Sequence, residues 1–197
     1  MTVSEQKKQL RAKVRKMERE LDPAYKKAAD ARIVERICTL PEYQGAETVF
    51  CFVGTAREID TTALLKDILA RGKKLLVPLC TAPGIMELRE ITSLSQLEAG
   101  AYGILEPRPD TPRVDKSEVD FSIIPCVSCD RQGHRLGQGG GYYDRFFEDC
   151  SVPTVLVCRE ALMHERIPLE EHDVVFGTIV TEQAVYLTSA LTLIPYK

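Results

Sequence analysis

The sequence is most informative first in what it lacks. No apolar run approaches the ~20 residues needed to cross a bilayer, and Met-Thr-Val-Ser-Glu-Gln-Lys-Lys at the start has no signal-peptide apolar core. A membrane partner is therefore not expected, and the expected location is cytoplasmic. Charge of one sign is also missing: the net charge is −3 and the pI about 5.7, which argues against nucleic acid as a partner. Internal repeats, low-complexity segments and charge blocks are absent as well. Seven cysteines, an odd and scattered set, suggest no disulfide framework. Most sit in apolar runs and read as small buried hydrophobes. Cys126-Val-Ser-Cys129 has redox or half-zinc spacing, but no second Cys-x-x-Cys accompanies it. If both lie on one strand, they point to opposite faces, so neither metal nor redox chemistry is expected there.

What is present is an ordinary globular composition, 44% hydrophobic and 28% charged. At 197 residues it suits one domain over 1–197 with a sizeable core. Residues 3–21 read as a helix with an apolar stripe of Leu10, Val14, Met17 and Leu21. Asp22-Pro23 starts a second helix, which runs to about Leu40 and is stopped by Pro41. Strands are expected at 48–53, 74–77 (stopped by Pro78), 86–91, 120–125, 153–157 and 178–181. Helices are expected at 61–70 and 142–150, and a short one at 160–165. The proline-dense stretch 105–113 reads as a surface connection, and 94–103 as loop or short helix. The tail to Lys197 is apolar enough to pack back. Alternating strands and helices imply an α/β fold: a mostly parallel central sheet flanked by helices, in an open three-layer, Rossmann-like arrangement.

The most unusual stretch is Gly133-His-Arg-Leu-Gly-Gln-Gly-Gly-Gly-Tyr-Tyr-Asp-Arg145, between an expected strand and an expected helix. Bare amides on such a turn, aided by the positive end of a helix, suit phosphate oxygens. The Walker Gly-Lys-Ser/Thr is missing, and Tyr142 stands where a dinucleotide fingerprint needs its last glycine. A flexible surface turn is the plain alternative. Arg135 and Arg145 can pair with phosphate, and Asp144 can hold a hard cation. Basic residues crowd the first helix: Lys7, Lys8 and Arg11 among them. Most read as a solvated surface, with one pair able to reach a triphosphate. His134, His164 and His172 read as structural.

Arg135-Leu-Gly-Gln-Gly-Gly-Gly-Tyr-Tyr-Asp144, with the basic first helix, Glu58-Ile-Asp-Thr, Gly103-Ile-Leu-Glu-Pro107 and Thr181-Glu182, resembles the 5-formyltetrahydrofolate cyclo-ligase (5,10-methenyltetrahydrofolate synthetase) family over nearly the full chain. The resemblance implies ATP- and Mg2+-dependent closure of 5-formyltetrahydrofolate to 5,10-methenyltetrahydrofolate, with release of ADP and phosphate. It implies that ATP meets Lys7, Lys8, Arg11, Arg135, Leu136, Gly137, Gln138, Gly139, Gly140, Gly141, Tyr142 and Tyr143. The folate, free or polyglutamylated, is implied to meet Val53, Glu58, Gln138, Gly139, Gly140, Gly141 and Tyr142. Asp144 and Asp173 are implied Mg2+ ligands, and Arg135, Lys7 and Arg11 the residues that carry phosphoryl transfer. A monomer is expected, and Arg135→Ala is expected to cut turnover and leave the fold intact. The sequence departs from the family pattern at Leu79, Cys126, Cys129 and Gly177. A non-catalytic nucleotide- or folate-binding module on the same scaffold, or a sugar-phosphate or CoA-type enzyme of similar architecture, are the competing readings.

Overall fold

The computed structural model describes residues 1–100, 104–148, 150–171 and 173–188. Helix α1 (Val3–Glu20) opens with a capping box between Thr2 and Glu5, which satisfies two orphan amides at once. Helix α2 (Pro23–Thr39) is capped by Asp22, whose carboxylate accepts from the amides of Ala24 and Tyr25. Pro41 stops α2 at Thr39, because the residue before a proline, here Leu40, is pushed to the extended conformation. It opens a further short helix, α3 (Pro41–Gly45), because a first-turn position needs no amide hydrogen. Strand β1 (Thr48–Cys51), helix α4 (Thr62–Ala70) and strand β2 (Lys74–Ala82) follow.

Pro78 does not stop β2. Pairing of β2 with β1 covers Lys74 to Leu76, after which β2 continues in a hairpin with β3 (Ile85–Ile91). A proline is tolerated on such a strand edge. The segment expected as loop and connection contains two short strands, β4 (Leu97–Ala99) and β5 (Leu105–Pro107), paired antiparallel. Then come β6 (Arg113–Val114), β7 (Phe121–Pro125), β8 (Ser128–Cys129), β9 (Arg135–Leu136), α5 (Tyr142–Phe147), β10 (Thr154–Val157), a 3-10 turn at Glu160–Leu162, β11 (Thr178–Val180) and β12 (Val185–Leu187). The tail beyond 188 lies outside the described residues, as do Gly103 and His172.

The main sheet has the order β12-β11-β10-β7-β1-β2-β3-β6. Its five central strands are parallel, and the antiparallel strands are at its edges. Alternation along the strands divides the core in two. Val49, Cys51, Leu75, Val77, Ile123, Val155, Val157 and Val180 pack with Ile33 and Ile37 of α2 and Leu64, Leu65 and Ile68 of α4. Phe50, Leu76, Ile124, Leu156 and Ile179 pack on the other face, with Val14 of α1 and Phe146 and Phe147 of α5. The result is the expected helix–sheet–helix layering.

The parallel strands run β2-β1-β7-β10-β11. After β1 the chain moves to one side of the sheet, and after β7 it moves to the other. The carboxyl ends of β1 and β7 therefore flank a topological switch point, where loops diverge and leave a crevice.

Candidate active site

Two neighbouring chambers lie at that switch point. The first, about 280 Å3, is lined by the glycine loop Gly137–Gly141, by Lys7 and Arg11 of α1, and by Glu58, Arg135, Tyr142, Tyr143, Asp144, Glu170 and Asp173. The second is narrower and more apolar, with Phe52, Ile59, Val157 and Leu162 in its wall. Glu58, Pro125, Cys126, Val127 and Gln138 border both.

The loop has its conformation for specific reasons. Gly139 has φ +104° and Gly141 has φ +66°, where a side chain is disfavoured. Helix α5 begins directly after Gly141 but has only six residues. Its dipole is therefore a minor contributor, and the positive potential comes from loop amides and cationic side chains. Arg11 donates through Nε to the Gly137 carbonyl at 2.7 Å, and Arg15 through Nη2 to Gln138 Oε1 at 2.8 Å. Helix α1 thus holds the loop as well as facing its cavity. Arg145 is not in the cavity lining; it donates to the Gly140 carbonyl at 2.9 Å.

Arg135 is buried. Its Nε donates to the Pro125 carbonyl at 2.8 Å, its Nη1 is 3.6 Å from Asp144 Oδ2, and its guanidinium carbon lies 4.8 Å from the centre of the Tyr143 ring. Tyr143 also stacks on Phe50, so it ties the core to the cavity that both tyrosines line. Burial pushes the Tyr143 phenol up, against the opposing pull of Arg135, and keeps it protonated.

Lys7 is 7% exposed. Its amine donates to Asp173 Oδ1 and Oδ2 at 2.7 and 2.5 Å and to Glu170 Oε2 at 2.8 Å. Burial disfavours the lysine charge, but the hydrogen bonds to Asp173 and Glu170 and their negative charges outweigh it, so the pKa is raised. Arg11 is pushed down by burial and by the neighbouring charge of Arg15. Lys8 is exposed and Val53 half-buried; neither lines the chambers.

Glu58 lies between the chambers. Its Oε2 accepts from the Thr55 amide at 3.2 Å. Its loop is held by a clamp that sequence reasoning missed. Arg159, just after β10, donates to both Asp30 oxygens at 2.7 and 2.9 Å and to the Glu58 carbonyl at 2.8 Å. Residues 30, 58 and 159 are too far apart in the chain for any spacing rule to join them; a buried arginine at a strand's carboxyl end was the available signal. The pairing of Glu170 with Lys7 is long-range in the same way.

His134 Nδ1 meets the buried Asp130 at 2.8 Å, and that carboxylate also accepts from the Ile167 amide. His164 contacts Lys13 Nζ at 3.3 Å. Neither lines the chambers, in keeping with structural roles.

Cys126 and Cys129 correct an expectation. They do not share a strand: β7 ends at Pro125, the chain turns, and Cys129 belongs to β8. The alternation argument does not apply across that turn. The two thiols converge with Cys158, all three Sγ atoms within 4.8 Å of one another. Cys126 Sγ donates to the Val157 carbonyl at 3.3 Å and Cys158 Sγ to that of Arg159 at 3.4 Å; burial opposes ionisation of Cys126, while the neighbouring thiols and the charge of Arg135 pull its pKa down.

Among the described residues, no helix is long and apolar enough to cross a membrane. The comparisons with known proteins agree with one another. The chain resembles the NMR structure of Aquifex aeolicus 5,10-methenyltetrahydrofolate synthetase, with a TM-score of 0.82 and 30% identity over 93% of each chain. It is 28% identical to 5-formyltetrahydrofolate cyclo-ligase of Escherichia coli K12, covering 88% of this chain and 98% of that one. It is 23% identical to the enzyme of that name from Mus musculus, over 93% of this chain and 97% of the mouse protein. The model of the 5-formyltetrahydrofolate cyclo-ligase family matches residues 3–182, and this chain belongs to that family.

Proposed function

We propose that the protein converts 5-formyltetrahydrofolate to 5,10-methenyltetrahydrofolate at the expense of ATP, with the triphosphate in the first chamber and the folate entering the second. The observation that carries the reading is the pair of adjoining chambers: one rich in glycine amides and cations, one more apolar, with Glu58 in the lining of both. The first chamber suits a polyanion. The second suits a flat heterocycle, whose ring N–H and amino group can donate two parallel hydrogen bonds to the Glu58 carboxylate.

A formyl oxygen on N5 is a poor leaving group. The γ-phosphoryl group passes to it from ATP: the bond from Pγ to the ADP oxygen breaks and a bond from Pγ to the formyl oxygen forms. N10 then attacks the formyl carbon and loses its proton. The carbon–oxygen bond breaks and phosphate departs, leaving the five-membered ring closed. Transfer of this kind needs mainly positioning and charge neutralisation. Arg11, Lys7, Arg135 and the loop amides offer both, and no protein nucleophile is required.

The oxygen donors in the chamber, Asp144 and Asp173, suit a hard cation, and Mg2+ takes one or two carboxylates together with phosphate and water. When bound there it would spread the charge of the β- and γ-oxygens. Asp173 is the ion-pair partner of Lys7 and accepts from the Glu170 amide, so it would serve a cation only if the Lys7 amine turned towards phosphate.

The test is to follow the near-ultraviolet absorbance of the methenyl product from 5-formyltetrahydrofolate with and without ATP. ATP-dependent growth of that band supports the reading. Binding of both ligands without product would favour a non-catalytic module.

A further inference from the structure

We propose that Cys126, Cys129 and Cys158 form a binding site for a thiophilic divalent cation of the zinc class, at the wall between the two chambers. The geometry rests on sheet register. Pro125 of β7 pairs with Val157 of β10, so the next residues, Cys126 and Cys158, leave the sheet side by side. The β8–β9 hairpin brings Cys129 back onto them. Their three Sγ atoms lie within 4.8 Å of one another. Three thiolates ~2.3 Å from one tetrahedral zinc ion stand roughly 3.8 Å apart, so closure asks each sulfur to move about half an ångström.

Charge and chemistry favour a divalent, soft partner. Three thiolates and one divalent ion sum to −1. The buried Arg135 guanidinium, whose Nε donates to the carbonyl of Pro125 directly before Cys126, offsets that. Thiolates select zinc-like ions, whereas the carboxylates of Asp144 and Asp173 select hard ones, so the two sets do not compete for one metal. No further histidine, cysteine or carboxylate among the described residues completes the group. Cys126 lines both chambers and Cys158 the second, which leaves a fourth position open to water or to an incoming ligand. The ion would tie together three segments beside Pro125, the residue whose carbonyl holds Arg135.

The test uses the full chain, reduced with a phosphine, stripped with a chelator and titrated anaerobically with Co2+. We expect one equivalent to bind, with a thiolate-to-cobalt charge-transfer band and visible bands of tetrahedral intensity, all bleached by one equivalent of Zn2+. Cys158→Ala and, independently, Cys126→Ser should abolish the bands, with circular dichroism confirming that each variant is folded. Cys80→Ser, at an exposed cysteine, should retain them. Absence of a charge-transfer band from the reduced protein would overturn the proposal. So would a band that survives in a folded Cys158→Ala or Cys126→Ser chain.

Discussion

Replacing Gly139 by alanine separates the loop's role in binding from any role in stability. Gly139 has φ +104°, and holding a non-glycine residue in such a region costs about 1–3 kcal/mol. Crowding adds little, because an added Cβ would meet nothing nearer than the Arg11 guanidinium carbon at 3.4 Å. The residue is exposed, so the ligand-free loop can relax and the fold need not bear the strain. A triphosphate seated on the loop amides would require the strained conformation again. At about 1.4 kcal/mol per factor of ten, the Kd for ATP should rise roughly 5- to 150-fold, with Tm within about 2 °C of wild type. Calorimetric titration with a non-hydrolysable ATP analogue and Mg2+ reads the first quantity, and thermal unfolding the second. Gly45→Ala is the control, since nothing lies within 4 Å of its added Cβ and its φ is not positive. An unchanged Kd in Gly139→Ala would refute the assignment of phosphate to this loop.

Glu58→Gln should raise the Kd for 5-formyltetrahydrofolate about 10-fold or more, the scale of a charge-assisted hydrogen bond, and leave that for ATP within about 2-fold; equal losses would contradict its place against the pterin. Arg135→Ala should cut kcat sharply and, because the side chain is buried on the Pro125 carbonyl, also destabilise the fold by about 1–3 kcal/mol, contrary to the sequence-based expectation of an undisturbed fold. Urea unfolding checks this, and a stable but inactive variant would reject the structural half. Lys7→Met should lower stability at pH 7 by on the order of 2 kcal/mol, less than a fully buried pair because the Glu170 side chain is 35% exposed. The Lys7 pKa is raised above 10.5 on folding, so its contribution is complete below that pH and fades as pH rises through the folded value. The gap between wild type and Lys7→Met should therefore hold from pH 8 to 10 and narrow above it; a gap that widens would reverse the sign.

Local signals were read correctly where one residue type decides the structure. Leu10, Val14, Met17 and Leu21 mark the inward stripe of α1, and Asp22-Pro23 the start of α2. Strands β1, β7 and β10 were legible as short apolar runs because both faces of the sheet are covered by helices. Pro41 ends α2 as the local rule expects, whereas at Pro78 tertiary position overrides that rule and β2 runs on. The three-residue strands β4, β5 and β12 are too short to show periodicity. The site itself was legible in part. The glycine loop and Asp144 are contiguous, so their joint placement needed only the chain. The Lys7–Asp173 pair spans 166 positions, and the Arg159–Asp30 clamp spans 129; strand order brings these together, and no sequence spacing encodes it. The cysteine cluster is not legible because its third member, Cys158, follows a different strand, and the alternation rule does not reach across the turn after Pro125.

The most direct test is a crystal structure of the full chain with a non-hydrolysable ATP analogue, Mg2+ and 5-formyltetrahydrofolate. The account predicts the β- and γ-phosphates on the amides of Gly137–Gly141 between Lys7, Arg11 and Arg135, with the formyl oxygen at the wall bordered by Glu58 and Gln138. A triphosphate bound elsewhere on the molecule, with this cavity holding only solvent, would contradict it.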